Sequence, residues 1–252
     1  MPNEARTLVL LPGLMCDAAV WQDMLNELRR EQLAVGAVVA DYGMSHDLRD
    51  MARLVLETNP GQLDIAGHSM GGRVALEIMR LAPERVGRVA LLGTGYSPLP
   101  TGDAGEAERA KRQHLIDWAR RSGVREMAGE WVKGMVPAHR LNDEPLITAI
   151  LDMFERKSLH HFEAQIKALL QRPDATETLR HWPSRTWVMA GELDAWANVA
   201  QHQAIAALLP QAHLEVMMGL GHMFPMENPS ATAQAFKRWL QEPLPEMTSK
   251  SH

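Results

Sequence analysis

Three residues have the types and the order in the chain to make a nucleophile: Ser69, Asp194 and His222. Ser69 lies in Gly67-His68-Ser69-Met70-Gly71-Gly72, a G-x-S-x-G pattern. The apolar run Leu63-Asp64-Ile65-Ala66 precedes it, and a run with helical period follows (Val74, Ala75, Ile78, Met79, Ala82). Strand, sharp turn and helix is the setting in which such a serine stands on a strained elbow, with its Oγ exposed at the C-terminal edge of a sheet. Small residues flank it because a side chain at Gly67 or Gly71 would collide with the neighbouring strand or helix.

A serine hydroxyl is a poor nucleophile at neutral pH. It needs a base in hydrogen-bond reach, a group to orient that base, and donors for the developing oxyanion. His222 is the candidate base. It sits in Gly219-Leu220-Gly221-His222-Met223, where glycines let the loop after the last strand swing back over the sheet. Asp194, in Gly191-Glu192-Leu193-Asp194-Ala195-Trp196, is the candidate orienting acid. Glu192 is its rival but alternates to another direction, and Leu92-Gly93-Thr94-Gly95-Tyr96, after the fourth strand, has no carboxylate. The backbone N–H groups of Met70 and Leu14 are the candidate oxyanion donors, by position. His68 reads as structural, and the pair His160-His161 has no metal-ligand spacing. Cys16 reads as a small buried hydrophobe without chemistry. No metal or cofactor is expected.

The elements that must position these residues follow from periodicity. Thr7 to Leu11 and Leu33 to Ala40 read as strands around a helix with Val20, Trp21, Met24, Leu25 and Leu28 on one face, capped by Asp17. A second helix starts near Asp47 and stops at Asn59-Pro60-Gly61. The elbow strand and helix come next, then a strand from Arg85 to Leu92. Alternating strands and helices predict a parallel sheet. From about Tyr96 to Trp182 the alternation stops. Helical patterns cover Glu106 to Arg121, Val124 to Met135, Glu144 to Lys157 and Leu159 to Gln171. The alternation resumes with strands at Arg185 to Ala190 and His213 to Met218, and helices at Asn198 to Leu209 and Pro229 to Leu240. The expected layout is a core of residues 1–95 and 183–242, a helical cap of residues 96–182, and a loose tail, 243–252.

Composition narrows the function classes. The net charge of −5 and the lack of a basic stripe argue against nucleic acid, and Arg109-Ala110-Lys111-Arg112 reads as the wet face of a helix. The single cysteine forbids an internal disulfide, and the apolar run Leu8 to Leu11 is too short for a signal peptide or membrane span. The expectation is a cytoplasmic protein, a monomer or small homo-oligomer, whose partner is a small-molecule ester or acyl substrate, with neither nucleic acid nor membrane.

Leu10-Leu11-Pro12-Gly13 with Trp21, Gly67 to Gly72, Gly191-Glu192-Leu193-Asp194, and Gly221-His222 with Glu227-Asn228-Pro229 together resemble the α/β-hydrolase superfamily. The resemblance spans nearly the whole chain. It implies six mainly parallel strands flanked by helices, an inserted all-helical cap, and a missing N-terminal antiparallel hairpin. Pro12-Gly13 departs from the His-Gly usual in the oxyanion loop. Ser69 argues against the dehalogenases and epoxide hydrolases of the superfamily, which use aspartate. What remains is similar to small serine esterases with a helical cap. An acyl-enzyme on Ser69 would cleave a carboxylic ester. Ser69-Met70-Gly71-Gly72-Arg73 also looks like the elbow of the menaquinone-pathway lyase, in which the triad abstracts a proton. A ligand sensor that retains the triad is the third alternative. Arg73 is the residue that discriminates, since the resemblance to that lyase, whose basic residues bind substrate carboxylates, would place it at the substrate; the favoured reading is an ordinary solvated or salt-bridged helix residue. The expected substrate surface includes Trp196, Met223, Trp118, Trp131 and Phe154, beside Leu14, Met70, Met135 and Met153.

Overall fold

The computed structural model describes residues 6–33 and 36–243. The chain opens β1 (Thr7–Leu11), α1 (Ala19–Arg30), β2 (Ala37–Val39), α2 (Leu48–Thr58), β3 (Leu63–His68), α3 (Met70–Leu81) and β4 (Val86–Leu92). Five helices follow: α4 (Asp103–Ser122), α5 (Val124–Trp131), α6 (Glu144–Glu155), α7 (Leu159–Leu170) and the short α8 (Thr176–Arg180). The chain then returns to β5 (Thr186–Gly191), α9 (Val199–Leu208), β6 (Ala212–Met217), α10 (Phe224–Glu227) and α11 (Pro229–Gln241).

The six strands form one sheet in the order β2-β1-β3-β4-β5-β6, and every neighbouring pair is parallel. A parallel sheet must be covered on both faces, which is why β3 and β5 are buried at every residue. No antiparallel strand occurs among the described residues. The chain leaves β1 towards β2 and returns to β3 on the other side of β1. That reversal opens a crevice at the C-terminal ends of β1 and β3, where open α/β sheets bind ligands. The register aligns Leu11 with Gly67, so the loop after β1 and the turn after β3 lie side by side.

The faces expected from periodicity are the buried ones. Val20, Trp21, Met24, Leu25 and Leu28 of α1 are in the core, as are Ala233, Phe236 and Trp239 of α11. The two helices meet through Trp21 and Phe236, with ring centroids 5.9 Å apart. Burial of a ring such as that of Phe236 contributes about 1.5–3 kcal/mol.

Several boundaries differ from expectation. β2 spans only Ala37–Val39, a half-exposed edge strand, and residues 34 and 35 of the expected strand lie outside the described residues. Ala18, not Asp17, occupies the cap position of α1, although the Asp17 carboxylate still accepts from the Ala19 N–H at 2.8 Å. α4 starts at Asp103, and α5 gives way at Trp131 to a 3-10 turn, Val132–Gly134. α8 and α10, of five and four residues, are too short for the 3.6-residue period to mark them. The expected tail lies outside the described residues beyond Pro243. No helix among the described residues is long and apolar enough to cross a membrane.

Candidate active site

The site is assembled from the loops at the C-terminal ends of β1, β3, β4, β5 and β6. Ser69 follows β3 with φ 56° and ψ −118°, a left-handed conformation that side chains other than glycine rarely adopt. Such strain costs on the order of 1–3 kcal/mol and persists only where the surroundings over-determine it. Here they do. The Ser69 N–H donates to the Leu92 carbonyl at 2.8 Å, and the Ser69 carbonyl accepts from Gly72 N–H at 3.0 Å and from the Thr94 hydroxyl at 2.7 Å. The flanking glycines are required by contact. A Cβ on Gly67 would lie 2.4 Å from the Gly71 carbonyl oxygen, and one on Gly71 would lie 2.0 Å from that of Leu11.

The loop after β6 carries His222 over the sheet, and its Nε2 lies 3.0 Å from Ser69 Oγ. Its Nδ1 lies 2.7 Å from Asp194 Oδ2. A carboxylate can only accept, so Nδ1 carries a hydrogen, and Nε2 faces the serine hydroxyl, from which it can accept. Asp194 Oδ1 accepts from the N–H groups of Trp196 and Ala197 at 2.8 and 2.9 Å. Burial opposes ionisation of Asp194. The charge and hydrogen bond of His222, with those two N–H groups, outweigh it and hold the carboxyl below the usual carboxylate range. Glu192 is spent elsewhere, accepting from the Gly219 N–H at 2.8 Å.

The loop that carries His222 is tied on several sides. The His222 N–H donates to the Met135 carbonyl at 2.8 Å, which anchors the loop to the cap. The Gly221 N–H donates to Glu227 Oε2 at 2.8 Å, and burial raises the Glu227 carboxyl to about 7. His68 is buried beneath. Its Nε2 lies 2.8 Å from the His222 carbonyl, which can only accept, so His68 donates there. Burial first, and His222 second, pull the His68 imidazole down to about 3, so it is neutral. Glu227, quoted above only for the family resemblance and given no role there, supports the loop through the Gly221 N–H.

The N–H groups of Leu14 and Met70 carry no hydrogen bond to another described residue. Met70 opens α3, so its N–H is one of the four that a helix leaves unsatisfied. Gly13 packs against the elbow, where a Cβ would come within 3.1 Å of that of Ser69. The Tyr42 hydroxyl donates to the Pro12 carbonyl at 3.1 Å and steadies the Pro12-Gly13 loop.

Two cavities open beside Ser69 and differ in character. The smaller, about 60 Å³, is lined by Leu14, Cys16, Met135, Phe154, Met223 and other largely apolar residues. The larger, about 420 Å³, is lined by Met70, Arg73, Glu108, Lys111, Arg112 and Arg172 among others, and Trp131, Trp196 and His222 border both. Trp196 stacks on Trp131 with centroids 5.2 Å apart and lies 5.0 Å from His222, so aromatic rings run from the histidine into the cap.

Some expectations fail here. Trp118 packs against His114 and lines neither cavity, and Met153 is buried in the core. The segment Arg109-Ala110-Lys111-Arg112 is not simply a wet face. Glu108, Lys111, Arg112 and Leu115 share one side of α4 by their helical spacing, and that side faces the larger cavity. Arg73 is not salt-bridged among the described residues. It donates to the Ser97 carbonyl at 2.9 Å and lines the same cavity. The signal for it was its spacing, four residues after Ser69 and so on the serine's side of α3. Cys16 lines the apolar cavity but is inert, because burial pushes its thiol up to about 12. Among the described residues no cluster of three or more His, Cys, Asp or Glu could hold a metal ion.

A serine, a histidine and an ionised aspartate in this line, next to two N–H groups without a partner among the described residues, can activate a hydroxyl and stabilise an oxyanion. The model of the alpha/beta hydrolase family matches residues 8–235. The chain is 24% identical to the biotin biosynthesis bifunctional protein BioHC of Teredinibacter turnerae over 99% of its own length and 47% of that protein's, so it spans about half of that relative. It is 36% identical to the pimeloyl-[acyl-carrier protein] methyl ester esterase of Photobacterium profundum over 36% of the chain and 38% of the relative. The structure of a thermophilic esterase from Thermogutta terrifontis, with malate bound, superposes with a TM-score of 0.81 at 25% identity, covering 94% of this chain and 89% of that one.

Proposed function

The chain belongs to the alpha/beta hydrolase family, and from that premise we propose that it cleaves a small carboxylic ester through an acyl-enzyme on Ser69. The observation that carries this reading is the continuous line from Ser69 Oγ to His222 Nε2, at 3.0 Å, and from His222 Nδ1 to Asp194 Oδ2, at 2.7 Å. Relatives named as esterases support the reaction class.

Ser69 Oγ attacks the ester carbonyl while His222 Nε2 takes its proton. The carbonyl oxygen becomes an oxyanion, held by the N–H groups of Leu14 and Met70 at the positive end of α3. Asp194 stays ionised and stabilises the imidazolium. His222 then protonates the leaving alcohol, and the acyl group remains on Ser69. A water molecule gives its proton to His222 and attacks the acyl carbonyl, which releases the acid and restores the serine. No cofactor enters. The helices between β4 and β5 act as a cap over the core and shape what reaches Ser69. The substrate is a small molecule, and the proposed compartment is the cytoplasm, in keeping with a single thiol.

Arg73 at the elbow favours a second reading, a lyase in which the same triad only abstracts a proton and no acyl-enzyme forms. Purified Ser69→Ala protein, assayed on short p-nitrophenyl esters, tests the proposal. Turnover should fall by about 10⁶. Near-normal turnover would overturn it.

A further inference from the structure

We propose that the larger cavity beside Ser69 receives an acyl chain ending in a carboxylate while the smaller one receives a short alkoxy group, so that the preferred substrate is a short-alkyl half-ester of a dicarboxylic acid. This inference rests on the ester-hydrolase reading of Ser69.

The charge of the larger cavity is the first observation. Arg73, Lys111, Arg112 and Arg172 line it, and Glu108 is the sole carboxylate among its lining residues. This excess of cations stands in a chain whose net charge is −5. Glu108 is shared, 2.8 Å from Arg112 and 2.7 Å from Arg172. Neither Arg73 nor Lys111 has a carboxylate within ion-pair distance among the described residues.

The second observation is how the arginines are held. Arg73 and Arg172 both donate to the Ser97 carbonyl, at 2.9 and 3.3 Å. Two guanidiniums converging on one neutral acceptor repel each other, and an anion between them would relieve that repulsion. Burial, then the charges of Arg172 and Arg112, pull Arg73 down to about 9, which leaves it charged at neutral pH. Gly95 makes the room. A Cβ there would lie 2.8 Å from Arg73 Nη2 and 2.4 Å from Gln201 Nε2. A planar guanidinium with free N–H groups suits a carboxylate, which it can bind through two parallel hydrogen bonds.

The third observation is the contrast in size. Both cavities border Ser69, as the two sides of an ester must. At about 60 Å³ against about 420 Å³, the apolar cavity suits the smaller, uncharged group of the ester. At about 420 Å³ the cationic one holds an acyl chain of several carbons with its terminal carboxylate. Arg73 is one helical turn from the serine, so the second carboxylate lies a few bonds from the scissile carbonyl.

The test compares monomethyl glutarate with the neutral methyl hexanoate. The kcat/KM quotient should favour the anionic ester at least tenfold. Arg73→Gln and Lys111→Gln should each lower the quotient, the former by about tenfold and mainly through KM, with partial recovery in Arg73→Lys. Arg125→Gln, which removes an exposed cap arginine paired with Asp152 and Glu155, should leave it unchanged. A quotient near one, with methyl hexanoate cleaved in a Ser69-dependent way, overturns the inference and keeps the hydrolase reading. If neither ester is cleaved, the hydrolase reading fails, and calorimetry of monomethyl glutarate on Ser69→Ala protein decides the rest. Binding weakened about tenfold by added Arg73→Gln supports the anion site, and no binding overturns it.

Discussion

At the sheet edge, Ser69, Asp194 and His222 are held mostly through backbone groups. The Leu92 carbonyl, the Gly72 N–H and the Thr94 hydroxyl fix the serine, the N–H groups of Trp196 and Ala197 fix the aspartate, and the Met135 carbonyl and the Glu227 carboxylate fix the histidine loop. Across the cavity, the charged groups of the helices between β4 and β5 are held mainly by other side chains. Arg112 and Arg172 are oriented by Glu108, and Arg172 donates also to the Ser97 and Leu169 carbonyls. Backbone contacts survive most substitutions, whereas a side-chain network moves with any member. The difference divides the labour. On the proposed reading, the core fixes how Ser69 reacts, and the helices between β4 and β5, with Arg73 beside them, decide on what.

That division can be broken at either region. The largest effect is expected in the core. Asp194→Asn should lower kcat by about 10⁴ on every ester, because the amide stabilises the wrong tautomer of His222. Steady-state kinetics across an ester panel check this, and a loss confined to some substrates would erase the distinction. A cap change should act selectively. Phe154→Ala enlarges the apolar cavity, so preference should move from methyl towards larger alkoxy groups by about tenfold, with kcat for the best ester little altered. An equal loss for all alkoxy groups would place Phe154 with the core.

The smallest effect concerns the joint between the two regions. Burial raises Glu227 to about 7 from an ordinary 4.5. A carboxyl whose folded pKa is raised gives stability that is full below about 4.5 and is lost as pH rises through about 7. The wild-type Tm should therefore fall across that window, by the equivalent of at most about 3 kcal/mol. Glu227→Gln keeps an acceptor for the Gly221 N–H and cannot ionise, so its Tm should fall less. Thermal melts at pH 5, 6, 7 and 8 measure the difference, and parallel curves would refute it.

The sequence carried the core and its line of polar groups more openly than the cap. A nucleophile elbow imposes glycines at Gly67 and Gly71, because a Cβ there meets backbone within 2.4 Å. Such constraints are local, so they are visible in a string of letters. β5 was legible for a similar reason, since it is buried on both faces and reads as the apolar run Trp187 to Ala190. The cationic cavity was not. Arg73, Lys111 and Arg172 meet only when α3, α4 and the end of α7 pack together. In the sequence, Lys111 and Arg112 look like any solvated helix face. Trp118 shows the same limit in reverse: a large aromatic residue on a helix between β4 and β5 suggests a pocket wall, whereas it lies against His114, one turn earlier on α4, and lines neither cavity.

The most direct test of the central claim is a rapid-mixing measurement with a p-nitrophenyl ester, paired with mass spectrometry of the quenched protein. A burst of about one p-nitrophenol per chain, with the acyl mass on the peptide holding Ser69 and neither in Ser69→Ala protein, is the predicted result. Steady turnover with no burst and no adduct on Ser69, undiminished in Ser69→Ala protein, would contradict it.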